Sequence, residues 1–167
     1  LGWERAGYSD IAKVEDGHAR VWERTFAAAL GTSVGEPQVP EVSALIEAEG
    51  GQCVAHQADV SDDSQVAALV ARCLATYGRI DILHNNVGIT KMGGPPDLSL
   101  EDWRKQIDIN VSGAFLACKY VIPVMQRQQK GVITNISSVA SIRYTGYPYT
   151  SYYAAKGAVN QFTIGIA

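Results

Sequence analysis

The sequence predicts an α/β fold built on a doubly wound parallel sheet, here incomplete, and three observations point to it. From Glu41 onward, short strand-like runs alternate with helical patterns, and strands alternating with helices of ten or more residues form parallel sheets. Three of those runs end in short polar clusters, Asp59-Val60, Asn85-Asn86-Val87-Gly88 and Ser137-Ser138, which such a sheet gathers along one edge. The 167 residues are 47% apolar and only 19% charged, enough for one domain with a sizeable core and unlike a disordered or coiled-coil chain.

Each element follows from its local pattern. Glu41 to Glu49 is helix-forming and Gly50-Gly51 stops it, after which Gln52 to Ala58 reads as a strand ending at Asp59-Val60. Ser61 offers an N-cap, Asp62 and Asp63 fill the first turn, and Val66, Leu69, Val70, Cys73 and Leu74 recur at helical spacing up to Tyr77-Gly78. Ile80 to Leu83 is a short strand that runs into the Asn85-Asn86-Val87-Gly88 cluster. A loop bearing Gly and Pro leads to Ser99, which caps a helix with Trp103, Ile107, Val111, Ala114, Phe115 and Cys118 on one face, extending to about Gln128. Lys130-Gly131 turns the chain into the β-branched strand Val132 to Ile136. A loop rich in Tyr, Gly and Pro then precedes a last helix from about Ser151.

Composition narrows the function. A net charge of -3, without long runs of one sign, disfavours nucleic acid and acidic membrane surfaces as partners. No uninterrupted apolar stretch approaches the ~20 residues a bilayer span needs, and the start lacks a signal-peptide pattern, so the chain reads as cytoplasmic. Cys53, Cys73 and Cys118 are odd in number, far apart and set in apolar patterns, which fits reduced core thiols. His84 reads as a satisfied strand residue, and no group of His, Cys, Asp and Glu has metal-site spacing.

The chemistry sits at the strand ends. Only one tyrosine, Tyr152, has a lysine four residues on, Lys156, and that spacing puts both side chains on one helix face a turn apart. A phenol near its ordinary pKa of ~10 is a poor proton donor or acceptor at neutral pH, and a close ammonium favours the phenolate. Ser138, at the end of the preceding strand, is placed to hydrogen-bond a carbonyl or alcohol oxygen that shares the tyrosine's proton. Ser137 beside it points the other way by strand alternation and reads as structural.

These motifs, in this order, resemble the short-chain dehydrogenase/reductase family over residues 41–167. Asn85-Asn86-Val87-Gly88 is similar to the family's Asn-Asn-Ala-Gly strand end with Val for Ala, and Asn110 sits within a helix as the family's catalytic asparagine does. Ser138 follows the matching strand, and Tyr152 stands fourteen residues after it where thirteen is common. The resemblance implies a Rossmann-like, NAD- or NADP-dependent oxidoreductase that moves hydride between nicotinamide and a carbonyl/secondary-alcohol pair. It implies Tyr152 as general acid/base, Ser138 as the group orienting the substrate oxygen, Lys156 as the cation beside the tyrosine and the holder of the nicotinamide ribose, and Asn110 as the group placing a relay water. It puts Asp59, Val60 and Asn86 beside the adenine and its ribose, with Val87 and Gly88 completing the cofactor contacts. A small-molecule substrate and a homo-oligomer, dimer or tetramer, are its expected partners.

Residues 1–40 stand apart. They hold no strand, Gly-rich turn and helix in succession, the arrangement that brings backbone N–H groups to a pyrophosphate. Reading residues 3–24 one nucleotide later turns the Trp3 and Trp22 codons into glycine codons and permits such a motif, a conjecture that sequencing the coding DNA tests. The alternative to an active enzyme is therefore a catalytically inactive fragment, at most an association module. A sheet lacking its first strand also leaves Leu45, Ile46, Val54, Leu83 and Ile133 expected to lose part of their apolar cover, favouring aggregation.

Overall fold

A computed structural model describes residues 39–167, with side chains from residue 43. Of the anomalous segment, residues 1–40, all but Val39 and Pro40 at the start of the first helix lie outside the described residues. The elements are α1 (Val39–Ala48), α2 (Asp63–Tyr77), β1 (Ile82–Asn85), α3 (Leu100–Ile107), a π-turn (Asp108–Ser112), α4 (Gly113–Gln128), β2 (Val132–Asn135), a 3₁₀ turn (Val139–Ser141) and α5 (Thr150–Gly165).

Local chemistry explains the boundaries. α2 is capped by Asp62, whose carboxylate accepts from Gln65 N at 3.0 Å, and not by Ser61 as the sequence suggests. The reason lies one residue earlier: Asp59 Oδ1 accepts both the Ser61 N–H at 2.9 Å and the Ser61 hydroxyl at 2.6 Å, so Ser61 is engaged in a turn of its own. α2 ends where Gly78 enters the left-handed region at φ 74° and donates to Leu74 O. Ser99 caps α3 as expected, accepting from Asp102 N at 3.0 Å. From there α3, the π-turn and α4 form one continuous 29-residue helix, Leu100–Gln128. It is apolar enough to suit a bilayer by composition, but Leu116, Cys118, Val121, Val124 and Met125 are buried within the domain.

β1 and β2 pair in parallel, with Leu83 opposite Ile133 and Asn85 opposite Asn135. Before β1, Gln128 binds both backbone groups of Ile80, accepting from its N–H at 3.0 Å and donating to its carbonyl at 2.7 Å. The core gathers Cys73 from α2, Ile80 just before β1, Leu83 from β1, and Cys118, Val121, Val124 and Met125 from α4, with Phe162 of α5 against it. Cys53, Cys73 and Cys118 are free thiols, the latter two buried, and burial pushes both of those up from the ordinary thiol pKa.

Two expectations are corrected. Residues 52–58 do not form a strand among the described residues. Among the described residues the sheet has two strands, and no segment pairs with residues 52–58. A strand exists only through its neighbour's hydrogen bonds, whatever its residue pattern. Leu83 also keeps its cover, at 8% exposure, because the helices on its face supply it. Leu45 does lie open, at 66%, and Ile46, Val54 and Ile133 are half-buried.

Candidate active site

The ends of β1 and β2 are braced before the chain leaves the sheet. Asn85 donates across the register to Asn135 Oδ1 at 2.7 Å, and Asn135 in turn donates to Thr163 of α5 at 3.0 Å. Beyond this brace Asn86 is exposed, Val87 half-buried, and Gly88 opens the loop toward α3.

Asn110 is held by a local distortion of the long helix. Its side chain donates to Gln106 O, four residues back, at 2.8 Å, contacting a carbonyl that regular helix would offer to a backbone N–H. The π-turn around it is the form such an interruption takes, and these turns often mark functional positions. A second donation, to Ile89 O at 2.9 Å, fastens the loop after Gly88 to the helix. Asn110 Oδ1 is left buried and without a partner. An added Cβ on Gly88 would stand 2.7 Å from that oxygen and 3.5 Å from Lys156 Nζ, so only glycine fits between them comfortably.

Lys156 lies on α5 at 4% exposure. Its ammonium donates to Ile136 O at 2.7 Å and sits 5.5 Å from the centre of the Tyr152 ring. Burial holds its pKa below the ordinary lysine value. Ser137 points its hydroxyl into α5, donating to Lys156 O at 3.1 Å, the structural role expected of it. Ser138 caps the 3₁₀ turn, its oxygen accepting from Ala140 N at 3.2 Å, which leaves the hydroxyl proton free to donate elsewhere. The structure thus brings Gly88, Asn110, Lys156 and Tyr152 together, with Ser138 two residues beyond the carbonyl that receives Lys156.

The remaining candidates are placed differently. Val60 packs on α4, where an added Cβ on Gly113 would meet its Cγ2 at 3.0 Å. Asp59 is exposed and bound to Ser61, while its own N–H donates to Gln65 Oε1 at 2.9 Å. Among the described residues no set of three or more His, Cys, Asp or Glu side chains is gathered as for a metal. Gln106 escaped the sequence reading: fully buried, it accepts from Lys91 N at 3.1 Å and keeps an unpartnered Nε2. Its position four residues before Asn110, on the same helix face, is the signal that pointed to it.

Comparison with known proteins shows the family. A family profile described as short chain dehydrogenase matches residues 13–167, starting earlier than the motif-bearing stretch from residue 41. A 3-oxoacyl-[acyl-carrier-protein] reductase of Synechocystis is 42% identical over 75% of this chain and 51% of its own length. The oxidoreductase UcpA of Salmonella typhimurium is 34% identical over 92% of this chain and 58% of its own. A crystal structure of a short-chain dehydrogenase/reductase from Burkholderia xenovorans superposes with a TM-score of 0.78 at 36% identity, over 92% of this chain and 63% of that one. The chain spans about half the length of the curated relatives it matches. With its profile match, its parallel strand pair and its Tyr-x-x-x-Lys helix, the chain belongs to the short-chain dehydrogenase family.

Proposed function

We propose that the protein is an NAD- or NADP-dependent oxidoreductase acting on a small carbonyl or secondary-alcohol substrate, and that Tyr152, Lys156, Ser138 and Asn110 carry the reaction. The observation that carries this reading is the buried Lys156 ammonium against the Tyr152 ring, next to the unpartnered Asn110 oxygen and the bare backbone of Gly88. Tyr152, with the Lys156 ammonium beside its ring, is the group that gives its proton to the substrate oxygen and takes it back. Ser138 donates its free hydroxyl proton to the substrate oxygen and holds it toward Tyr152. Asn110 Oδ1, a buried acceptor, is suited to hold a water through which Lys156 exchanges protons with solvent.

The same residues fit a nicotinamide nucleotide. Gly88 leaves room where a side chain would intrude, and the Lys156 ammonium keeps donor capacity for a ribose hydroxyl beyond its bond to Ile136. Asp59, Val60, Asn86 and Val87 would flank the adenine and its ribose. When bound, the cofactor accepts or supplies the hydride. Association into dimers or tetramers through α4 and α5 belongs to this reading, supported by exposed Phe115 and Ile164 on those helices; light scattering of the protein in solution tests it.

The experiment is transfer of label. With a ketone substrate and cofactor deuterated at the nicotinamide C4, deuterium should appear on the product carbinol carbon. In Tyr152→Phe, turnover should fall by ~10²-fold or more with cofactor affinity largely kept, since the lost group is a proton donor. Near-normal turnover in that variant removes Tyr152 from the reaction.

A further inference from the structure

In the loop between Ser138 and Tyr152, residues 145 and 147 are held by one hydroxyl, that of Tyr153. Thr145 N donates to it at 3.0 Å, Thr145 Oγ1 lies 2.7 Å away, and Tyr147 O lies 2.9 Å away. A phenol has a single proton, and a carbonyl can only accept, so that proton goes to Tyr147 O. The Thr145 hydroxyl is then the donor in its contact, and the Tyr153 oxygen receives two hydrogen bonds while giving one. Every hydrogen-bonding position of this hydroxyl is used within the loop.

The loop is fixed from its other side as well. Gly93, in the loop after β1, donates to Pro148 O at 2.7 Å and accepts from Thr150 N at 3.4 Å. Gly146 lies between the two residues Tyr153 holds, at φ 92°, a conformation that favours glycine. A backbone fastened at residues 145, 147, 148 and 150 presents its intervening rings in defined places. Tyr144 and Tyr147 are nonetheless 68% and 56% exposed. Tyr144 leans on the Tyr153 ring at 5.8 Å between centroids, and Tyr147 on Tyr149 at 5.6 Å. Three aromatic rings thus stand on a segment that begins next to Ser138 and ends next to Tyr152.

We infer that Tyr153 is a positioning residue that fixes a rim of Tyr144, Tyr147 and Tyr149 beside the reacting centre, and that this rim selects substrates with a flat apolar group next to the carbonyl or carbinol carbon. The inference rests on the hydride-transfer reading and names the substrate class of that same site. The backbone of this loop is fixed while the Tyr144 and Tyr147 rings stay largely exposed, an arrangement suited to stacking.

The test compares acetophenone with 2-butanone as substrates of the full chain at saturating reduced cofactor. In Tyr153→Phe, which keeps the ring against Tyr144, KM for acetophenone should rise roughly two- to tenfold, the worth of an aromatic contact. Its kcat on acetophenone, and both constants for 2-butanone, should stay within about twofold. Tyr144→Ala should show the same selective rise without touching the Tyr153 hydroxyl, so the rim remains testable if Tyr153→Phe folds poorly. Binding of the two ketones, followed by saturation-transfer NMR without turnover, should lose the acetophenone preference in both variants. A wild-type chain that reduces neither ketone removes the hydride-transfer reading, while the NMR contrast still decides the rim. Equal losses on both ketones, or no loss in either variant, overturns the inference.

Discussion

One face of the β1–β2 pair carries Leu83, Asn85 and Asn135, packed or hydrogen-bonded toward α4 and α5. The other carries Val132, His84, Thr134 and Ile136, all exposed, with Val132 at 57%. The candidate site belongs to the covered face: Asn110 and Lys156 come from helices packed on that side, and both are buried. The difference teaches where this chain can hold a charge. Only helices braced against a core keep an ammonium out of water within reach of a tyrosine ring, at a desolvation cost the packing must offset.

Replacing that charge should separate the two contributions most sharply. Lys156→Met keeps an unbranched chain of similar volume, removes the buried cation and leaves Ile136 O without its donor. Turnover should drop by ~10²-fold or more, while the melting temperature moves by only a few degrees, because relief of a buried charge and loss of one hydrogen bond oppose each other. Steady-state kinetics and thermal unfolding on the same preparation check this. A large destabilisation would mean that Lys156 holds the fold together more than it serves the site.

The two faces should also differ in what a truncation costs. Leu83→Ala removes atoms packed among Cys73, Cys118 and Val121 and should cost ~2–5 kcal/mol of stability. Val132→Ala, on the open face of the neighbouring strand, should cost under ~1 kcal/mol. Equal losses in denaturant unfolding would show that something covers Val132 in solution and would erase the contrast between the faces.

How much of this was legible in the sequence depended on whether the deciding partner is near in the chain. Gly78 and Ser99 act on residues three or four away, and both were readable from local pattern. The cap of α2 was misplaced by one residue because Asp59 engages Ser61 and leaves the capping bond from Gln65 N to Asp62, a competition the residue types alone do not settle. Residues 52–58 carry a strand's residue pattern but no strand, since pairing needs a neighbour that pattern cannot supply. In the site, Tyr152 with Lys156 was visible as a four-residue spacing, whereas the π-turn under Asn110 leaves no mark in the residue types. Burial of the Gly88, Asn110 and Lys156 cluster joins three elements distant in sequence and emerges only on folding.

Acid should act on the covering helices through their N-termini. Asp62 is held below the ordinary carboxylate value of 3.8 chiefly by the Ser64 hydroxyl and then the Gln65 N–H, and Asp102 likewise by Lys91 and then Ser99. Asp63 is held down by Lys119. Each folded-state pKa lies below its unfolded value, so this stabilisation is present above 3.8 and is lost as pH falls through the folded values. Melting temperature measured from about pH 6 to about pH 3 should decline at the acid end, and Asp62→Asn, which still caps but cannot ionise, should decline less. An identical acid profile in that variant would exclude Asp62 from the effect.

The smallest effect belongs to the open face. His84 Nδ1 and Thr134 Oγ1 meet at 2.6 Å across the strand pair, in register and exposed. Cross-strand polar pairs contribute ~0.2–1 kcal/mol, and water competes for both partners where they are exposed. Thr134→Val keeps the β-branched shape and strand preference while removing the hydroxyl, so it should shift stability by under ~0.5 kcal/mol and leave turnover unchanged. A loss well above that in denaturant unfolding would mean the pair is shielded from water. The face that carries it would then be covered in solution, as the face bearing the site is.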